Sequence, residues 1–449
     1  MKKISFLGLA LCGMVAMGLT SCSDDNTNGD GSVQLSEQDQ QLQSILKEDI
    51  EKTINPTYAA LADSCTQLYD QLIVLREASR TNSVKQEDVD KACEIFLHSR
   101  ANYERSEAFL LGAADHFGID PHIDSWPLDL DQLTNLLNSD NMLDNLDFTD
   151  PSKATTDDQK QEEIDALNNA HGNFGSNLLG FHGIEFILFR DGKPRTASEL
   201  NSNGTDSWSD GSHDLSKVSG KKELVYAVAV AGDLKAATYC MECSWNAEAP
   251  QAHKEWLENM EWWGTTTDSG LSYEQYYVNA GQAGAASSIK NAVSSFLIGD
   301  KGAKGIADEV GNTKISSPFT GADKTYIESP YSKNSKTDFT NNIRSIENTW
   351  YGGIGVDEVK NAAGLTASNR GDNSFHAYFA KNYPEEGKAV EEAIVAAKKA
   401  IQEINGKGAF VDYIHNGPQK VDAGKSGQAA IDACQALSAA LDKAAAKLQ

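Results

Sequence analysis

The segment from Leu178 to Phe189 reads L-L-G-F-H-G-I-E-F-I-L-F, and only His182 and Glu185 in it carry ionisable side chains. Residues three apart lie on the same face of a helix, with Cβ atoms about 5–6 Å apart. The other residues are apolar on every side, so the segment is predicted to be a buried helix. A buried charge without a partner is costly. The pair therefore indicates a metal ion, a catalytic role or a hydrogen-bonded polar pair inside a core.

Apolar residues recur at helical spacing along most of the chain, and no strand alternation is sustained over several segments. Long helices are predicted over 35–78, 84–111, 157–189, 221–243, 273–298, 338–350, 390–404 and 429–448, with shorter helices in 129–146. Trp256, Trp262 and Trp263 are expected on a packed helix face. The predicted fold class is all-α, with two helical bundles of the four-helix type side by side.

The stretch 201–216 is rich in Ser, Asn, Asp and Gly and is the best candidate for a domain boundary. It separates an N-terminal helical domain, 37–205, which contains the His182 helix, from a C-terminal helical domain, 206–449. Ahead of them, 22–36 is predicted to be an acidic linker.

The N-terminus has the order of an export signal. Met1-Lys2-Lys3 is positively charged, and the apolar run that follows is too short to span a membrane. Leu19-Thr20-Ser21-Cys22 resembles a bacterial lipobox, and the acidic residues that follow resemble a surface-export signal of Bacteroides lipoproteins. The sequence predicts a signal peptide, 1–21, and a lipid-anchored Cys22 at the outer membrane of the cell envelope. One form of this prediction exposes the protein on the cell surface. The alternative is an ordinary cleaved signal peptide with an incidental cysteine.

Charge and cysteine content narrow the class of protein. The net charge of −26 excludes a nucleic-acid or anionic-lipid surface as the main partner and is compatible with cations, although it also serves solubility.

An odd number of cysteines follows Cys22, so the chain is not a disulfide scaffold. Cys240 and Cys243 form a C-x-x-C within a helical run. They are predicted to be two buried helical cysteines or a local disulfide.

The stretch Gly180-Phe181-His182-Gly183-Ile184-Glu185 is a G-x-H-x-x-E sequence and resembles the signature of the imelysin-like family. Further resembling stretches occur in family order over roughly 40–445, and they lie at 100–103, 107–109, 124–128, 328–332, 338–343 and 350–353. The resemblance implies two bundle domains with the signature close to where they meet. It also implies exported proteins tied to iron uptake or metal binding, in a family named for a peptidase.

His182 and Glu185 are the predicted metal ligands, with a carboxylate from another helix completing an oxygen-rich site for iron or a similar divalent cation. The supporting residues of the predicted site are Arg100, Tyr103, Glu107, Ser332 and Asp338. Arg100 could instead pair with Glu185, which would make the cluster structural. A zinc peptidase requires a third ligand and a general base, and neither is assigned because the chain has no H-E-x-x-H.

Three hypotheses therefore remain open. The first is an envelope metal-binding protein that works with iron-uptake partner proteins, the second is a metallopeptidase, and the third is a non-catalytic module that binds a small ligand, a polymer or a partner protein.

Overall fold

Helices dominate the computed structural model, which describes residues 35–206, 208–355 and 367–449. The first nine α-helices are α1 (Glu37–Asp49), α2 (Asn55–Arg80), α3 (Gln86–Glu104), α4 (Ala113–His116), α5 (Ile119–Ile123), α6 (Leu130–Leu137), α7 (Asp140–Asp144), α8 (Asp157–Asn173) and α9 (Gly180–Leu188). A two-stranded antiparallel hairpin follows, and its strands are β1 (Phe189–Arg190) and β2 (Lys193–Pro194).

The remaining α-helices are α10 (Gly220–Trp245), α11 (Gln251–Met260), α12 (Tyr273–Val278), α13 (Ile289–Ile298), α14 (Ala303–Glu309), α15 (Ser316–Thr320), α16 (Ser335–Tyr351), α17 (Phe375–Asn382), α18 (Pro384–Glu403), α19 (Phe410–Asn416), α20 (Pro418–Val421) and α21 (Lys425–Ala445). The π-helical turns are Ile50–Ile54 and Val310–Ile315, and the 3-10 turns are Pro151–Lys153, Ser176–Leu178 and Ala367–Asn369. The all-α prediction is confirmed.

The helix α10 is the central element of the core. It packs against α2, α8, α9 and α11, and nearly all of its side chains are buried. It is long and apolar enough to cross a membrane, but its apolar stretch is buried wholly inside the protein, as in the core helix of a globular fold. The helix predicted over 221–243 is thus observed with slightly longer ends.

The helical spacing of apolar residues at the start of the described chain is also confirmed. The helices α1 and α2 are joined by the π-helical turn Ile50–Ile54, so helical backbone runs from Glu37 to Arg80. Their apolar stripe is buried and packs in part on α3. The late helices α16 and α21 both pack on α18, and α16 also contacts α3.

Two of the long predicted helices are interrupted. The segment 157–189 is divided between α8 and α9, because α8 ends at Asn173, where Phe174 adopts an extended backbone conformation, and the 3-10 turn Ser176–Leu178 precedes α9. The segment 273–298 is divided between α12 and α13 by a loop in which Gly281 and Gly284 have positive φ.

The placement predicted for Trp262 and Trp263 is wrong. Trp256 lies on α11, but the helix ends at Met260 and Glu261 adopts the left-handed conformation. Trp262 and Trp263 therefore follow the helix and do not lie on its packed face.

The organisation of the chain into domains stays a prediction. Residues Glu37–Gln449 form one compact unit by their contacts, and 201–216 is loop in its described residues, as expected. The signal peptide, Cys22 and most of the linker lie outside the described residues. The thiols of Cys65, Cys93, Cys240, Cys243 and Cys434 are free and buried, so Cys240 and Cys243 form no disulfide.

Candidate functional site

The helix α9 carries His182 and Glu185 into the interior of the protein. Every residue of α9 is buried, and the exposed fraction is 3% for His182 and 0% for Glu185. The Nδ1 atom of His182 lies 3.6 Å from Oε2 of Glu185, as expected for charged residues three apart on one helix face. The prediction that this pair is buried and shares a face is confirmed.

Two glycines allow α9 to approach its neighbours closely. A Cβ atom on Gly180 would lie 1.9 Å from the carbonyl oxygen of Ile123, and one on Gly183 would lie 2.2 Å from the hydroxyl of Tyr226. The Tyr226 hydroxyl donates a hydrogen bond to the carbonyl of Leu178, which ties α10 to the residues just before α9. The glycine that opens the G-x-H-x-x-E signature is therefore required by the backbone conformation and by the space available.

His182 lies between two carboxylates. Its Nε2 atom lies 3.1 Å from Oδ1 of Asp124, which follows α5, while its Nδ1 atom faces Glu185. Burial lowers the pKa of His182, but the Asp124 and Glu185 carboxylates outweigh burial and raise it to about 9. Burial raises the pKa of Asp124, but the nearby Arg100 and His182 hold it well below its usual range.

Glu185 is held by the segment that precedes α16. Its Oε1 atom accepts hydrogen bonds from the backbone N–H groups of Tyr331 at 3.1 Å and Ser332 at 2.7 Å, and from the Ser332 hydroxyl at 2.7 Å. These donors orient the carboxylate and leave Oε2 facing His182. Ser332, a predicted supporting residue of the site, therefore contacts Glu185 directly.

A buried ion-pair cluster extends from Asp124. Arg100 donates to Asp124 and to Glu328, and its guanidinium also lies 2.5 Å from Oε1 of Glu104. Among the residues that the structure describes, Arg100 therefore pairs with these carboxylates and not with Glu185, contrary to the alternative drawn from the sequence. Glu104, Asp124 and Glu328 each offer an oxygen within 4.8 Å of the other two.

Lys314 closes the cluster from the π-helical turn Val310–Ile315. Its Nζ atom lies 3.3 Å from Glu328, 3.6 Å from Glu107 and 3.9 Å from Glu104. Burial lowers the pKa of Lys314, but these carboxylates outweigh burial and hold it well above its usual range. Burial in turn raises the pKa of Glu104 and Glu107.

Carboxylates outnumber cations in this part of the core. Besides His182, the buried cations of the cluster are Arg100 and Lys314. The buried carboxyl groups of the cluster are Glu104, Glu107, Asp124, Glu185, Glu328 and Asp338. An excess of buried carboxylates must be offset by protons or by further cations.

Two predicted residues have other partners. The Tyr103 hydroxyl donates to Oδ1 of Asp120 at 2.6 Å, so this hydroxyl does not orient His182 or Glu185. Asp338 accepts from the Asn334 amide at 2.6 Å, while burial raises its pKa to about 7 against the opposing charge of Arg100.

A small pocket of about 180 Å³ reaches His182 from the side of Trp126. The indole of Trp126 lies 5.7 Å from the imidazole and 4.9 Å from the ring of Tyr326. Pro330 and Tyr331 line the same pocket, next to the segment that holds Glu185. The pocket is large enough for an ion and a few waters, but it is below the size of pockets that enclose larger ligands.

Comparison with protein families assigns this architecture. The family model described as Imelysin matches residues 54–444, which is most of the chain. The chain belongs to the imelysin family.

Two solved structures share the imelysin fold with this chain. A crystal structure of a candidate iron-regulated protein A precursor from Parabacteroides distasonis ATCC 8503 is 23% identical and covers 94% of this chain and 98% of its own, with a TM-score of 0.65. An imelysin-like protein from Psychrobacter arcticum 273-4 is 11% identical and covers 91% of this chain and 95% of its own, with a TM-score of 0.54. No curated protein matches the chain.

Within this imelysin, sequence reasoning missed four charged residues of the cluster: Glu104, Asp124, Lys314 and Glu328. Asp124 and Glu328 fall inside stretches that resemble the family, so their position in those motifs was a usable signal. Glu104 and Lys314 carried no such signal. The site can hold a cation chemically, because Glu104, Asp124 and Glu328 offer oxygens close together and the buried Oε2 atom of Glu328 accepts no hydrogen bond from the residues that the structure describes.

Proposed function

We propose that this imelysin binds a metal cation, with iron as the physiological ion, at the buried cluster around His182, and that it serves iron uptake at the cell envelope. The observation that carries the proposal is that buried carboxyl groups outnumber buried cations around His182, while Oε2 of Glu328 lacks a hydrogen-bond donor among the described residues. A bound cation would take the place of the protons that otherwise offset the excess of carboxyl groups.

The donor set supports iron or a similar divalent ion. Carboxylate oxygens together with one imidazole suit iron and manganese better than thiolate-preferring metals. The name of the Parabacteroides structure, an iron-regulated protein A precursor, supports iron in particular. His182, after it loses its proton to the incoming cation, and Glu185 would bind the ion, and Asp124, which contacts His182, is a further donor.

The remaining contacts assign roles to the surrounding residues. Tyr331 and Ser332 hold Glu185 by its other oxygen, which fixes the direction of Oε2. Such orientation of a ligand by neighbouring hydrogen bonds tunes the affinity of a metal site. Arg100 and Lys314 hold the carboxylates together and offset part of their mutual repulsion.

Calorimetry with Fe²⁺ under anaerobic conditions tests the proposal. We expect Glu185→Gln to weaken binding at this site tenfold or more, about 1.4 kcal/mol, because it keeps the shape and removes the charge. The matched control is Glu392→Gln, which changes a side chain that is 69% exposed, and it should bind as the wild type does. Binding equal to wild type in folded Glu185→Gln would contradict the proposal, and so would the absence of Fe²⁺ binding to the wild-type protein.

The location rests on the lipobox-like stretch that ends at Cys22. Acyl chains on this cysteine would anchor the protein at about 0.8 kcal/mol per buried methylene. We expect Cys22→Ala to release the protein from the membrane fraction of cells. Unchanged membrane association of this variant would count against a lipid anchor at Cys22.

A further inference from the structure

A second group of side chains able to bind a metal includes His122 of α5. His122 from α5, His171 from α8 and Asp233 from α10 each offer a ligand atom, and these atoms all lie within 4.8 Å of one another. Oδ2 of Asp233 lies 2.6 Å from Nε2 of His122, and Oδ1 lies 2.8 Å from Nδ1 of His171. Residues from three helices thus converge on one buried carboxylate.

The buried carboxylate of Asp233 is paired with two imidazoles. Its side chain is 0% exposed, and in the described part of the chain its ion pairs are with the two imidazoles. A buried carboxylate is costly without a cation, and an imidazole is a weaker counter-charge than the guanidinium that Arg100 provides at the first site. A cation bound by all three side chains would offset the charge of Asp233 directly.

An aromatic wall fixes both imidazoles. The ring of His171 stacks on Trp262, with 4.1 Å between the ring centroids. The ring of Trp263 is nearly perpendicular to both imidazoles, and its centroid lies 5.0 Å from that of His171 and 5.2 Å from that of His122. The Trp262 indole N–H donates to Asn168, one helical turn before His171, at 2.6 Å. The ligand rings are therefore positioned by packing on one side, while 17% of His122 and 24% of His171 remain exposed.

We propose that His122, His171 and Asp233 form a second metal site, which takes a divalent transition-metal ion of the Zn²⁺ or Fe²⁺ type. Two imidazoles and one carboxylate are a donor set of zinc sites and of non-haem iron sites, both of which keep open positions for water or another ligand. Ligands about 2.0–2.2 Å from a tetrahedral ion are roughly 3.3 Å apart. The observed separations of 2.6 and 2.8 Å need to open by about 0.5–0.7 Å to admit the ion.

This site shares no side chain with the cluster around His182. It uses neither Glu185 nor the carboxylates paired with Arg100. Its presence therefore does not depend on the proposed function, and variants of the two sites separate the two proposals.

Titration with Co²⁺, followed by visible absorption and by tryptophan fluorescence, tests the second site. In the Glu185→Gln protein, Co²⁺ should still give the absorption of an imidazole-ligated ion and should quench fluorescence, because Trp262 and Trp263 lie beside His171. Adding His171→Gln or His122→Gln should weaken this binding at least tenfold. Both histidines are partly exposed, so the fold should survive, and circular dichroism checks it.

The matched control is His213→Gln. His213 also contacts two carboxylates, Asp210 at 2.8 Å and Asp131 at 2.9 Å, but it has no second imidazole partner in these contacts. The control should bind Co²⁺ as its parent does. The proposal is overturned if Glu185→Gln binds no Co²⁺, or if the folded His171→Gln and His122→Gln variants bind it as tightly as their parent.

Discussion

The Nε2 atom of His182 lies 3.1 Å from Oδ1 of Asp124, a residue 58 positions earlier in the chain. This contact places the signature histidine between Asp124 and Glu185, and it links His182 to Arg100 and the larger ion-pair cluster. The signature is thus one end of a buried charge network.

Replacing Asp124 with Asn should be strongly destabilising. The change keeps the shape but replaces the charged oxygen that faces both Arg100 and His182 with a neutral amide, and breaking a buried pair costs about 3–5 kcal/mol. Urea unfolding measures the loss. Asp210→Asn is the control, since Asp210 pairs with His213 near the surface, and this change should cost much less stability than Asp124→Asn. Equal losses in the two variants would show that the cluster is not a strongly coupled unit.

Replacing Gly180 with Ala should destabilise the fold by more than about 3 kcal/mol, because the new methyl group overlaps the Ile123 carbonyl in addition to the strain of a positive φ. Gly118→Ala is matched in conformation, with a φ of +64°, but a Cβ there meets nothing within 4 Å. That variant should lose only about 1 kcal/mol. Thermal and urea unfolding compare them, and a similar loss in both would refute the role of close packing at Gly180.

The stability of the protein should depend on pH through Asp49. Burial raises the pKa of this carboxyl to about 8, and the Thr53 hydroxyl offsets only part of the shift. Since the pKa in the unfolded chain is about 3.9, the folded state binds the extra proton between these values. The contribution of Asp49 is therefore complete below about pH 4 and is lost as the pH rises through about 8.

Asp49→Asn removes this dependence. At pH 9 the variant should be more stable than the wild type by at least about 2 kcal/mol, and the advantage should shrink toward pH 4. Urea unfolding at a series of pH values gives the difference. Asp157→Asn changes a side chain that is 100% exposed and should leave the pH dependence as it is. A difference between Asp49→Asn and wild type that stays constant with pH would contradict the assignment.

The protein should not hydrolyse general protein substrates. His182 is 3% exposed, and the pocket beside it, about 180 Å³, is too small to place a peptide bond against a metal-bound water. Incubation with casein or insulin should leave both intact, with a known zinc peptidase as the positive control. Chelator-sensitive cleavage that disappears in His182→Ala would overturn this expectation.

The helices could be predicted from sequence because their signal is local. Apolar residues every three or four positions give one buried stripe per helix, and this spacing predicted most of α1, α2, α10, α16, α18 and α21. The two wrong continuous helices contained positive-φ glycines, whose conformation depends on neighbours distant in sequence. The positions of Trp262 and Trp263 also depend on residues distant in sequence, because both follow the end of α11 and pack around His171.

The sequence alone determined that His182 and Glu185 share a buried helix face, because their spacing and apolar surroundings lie within one short segment. Only the tertiary structure brought Asp124 to that face and joined Glu104, Glu328 and Lys314 to it through Arg100, and only it placed His122 and His171 on Asp233. Charged residues in sequence are ordinarily read as exposed. Whether one of them is buried depends on the partner that folding places beside it, as Arg100 and Glu328 show across 228 positions of chain.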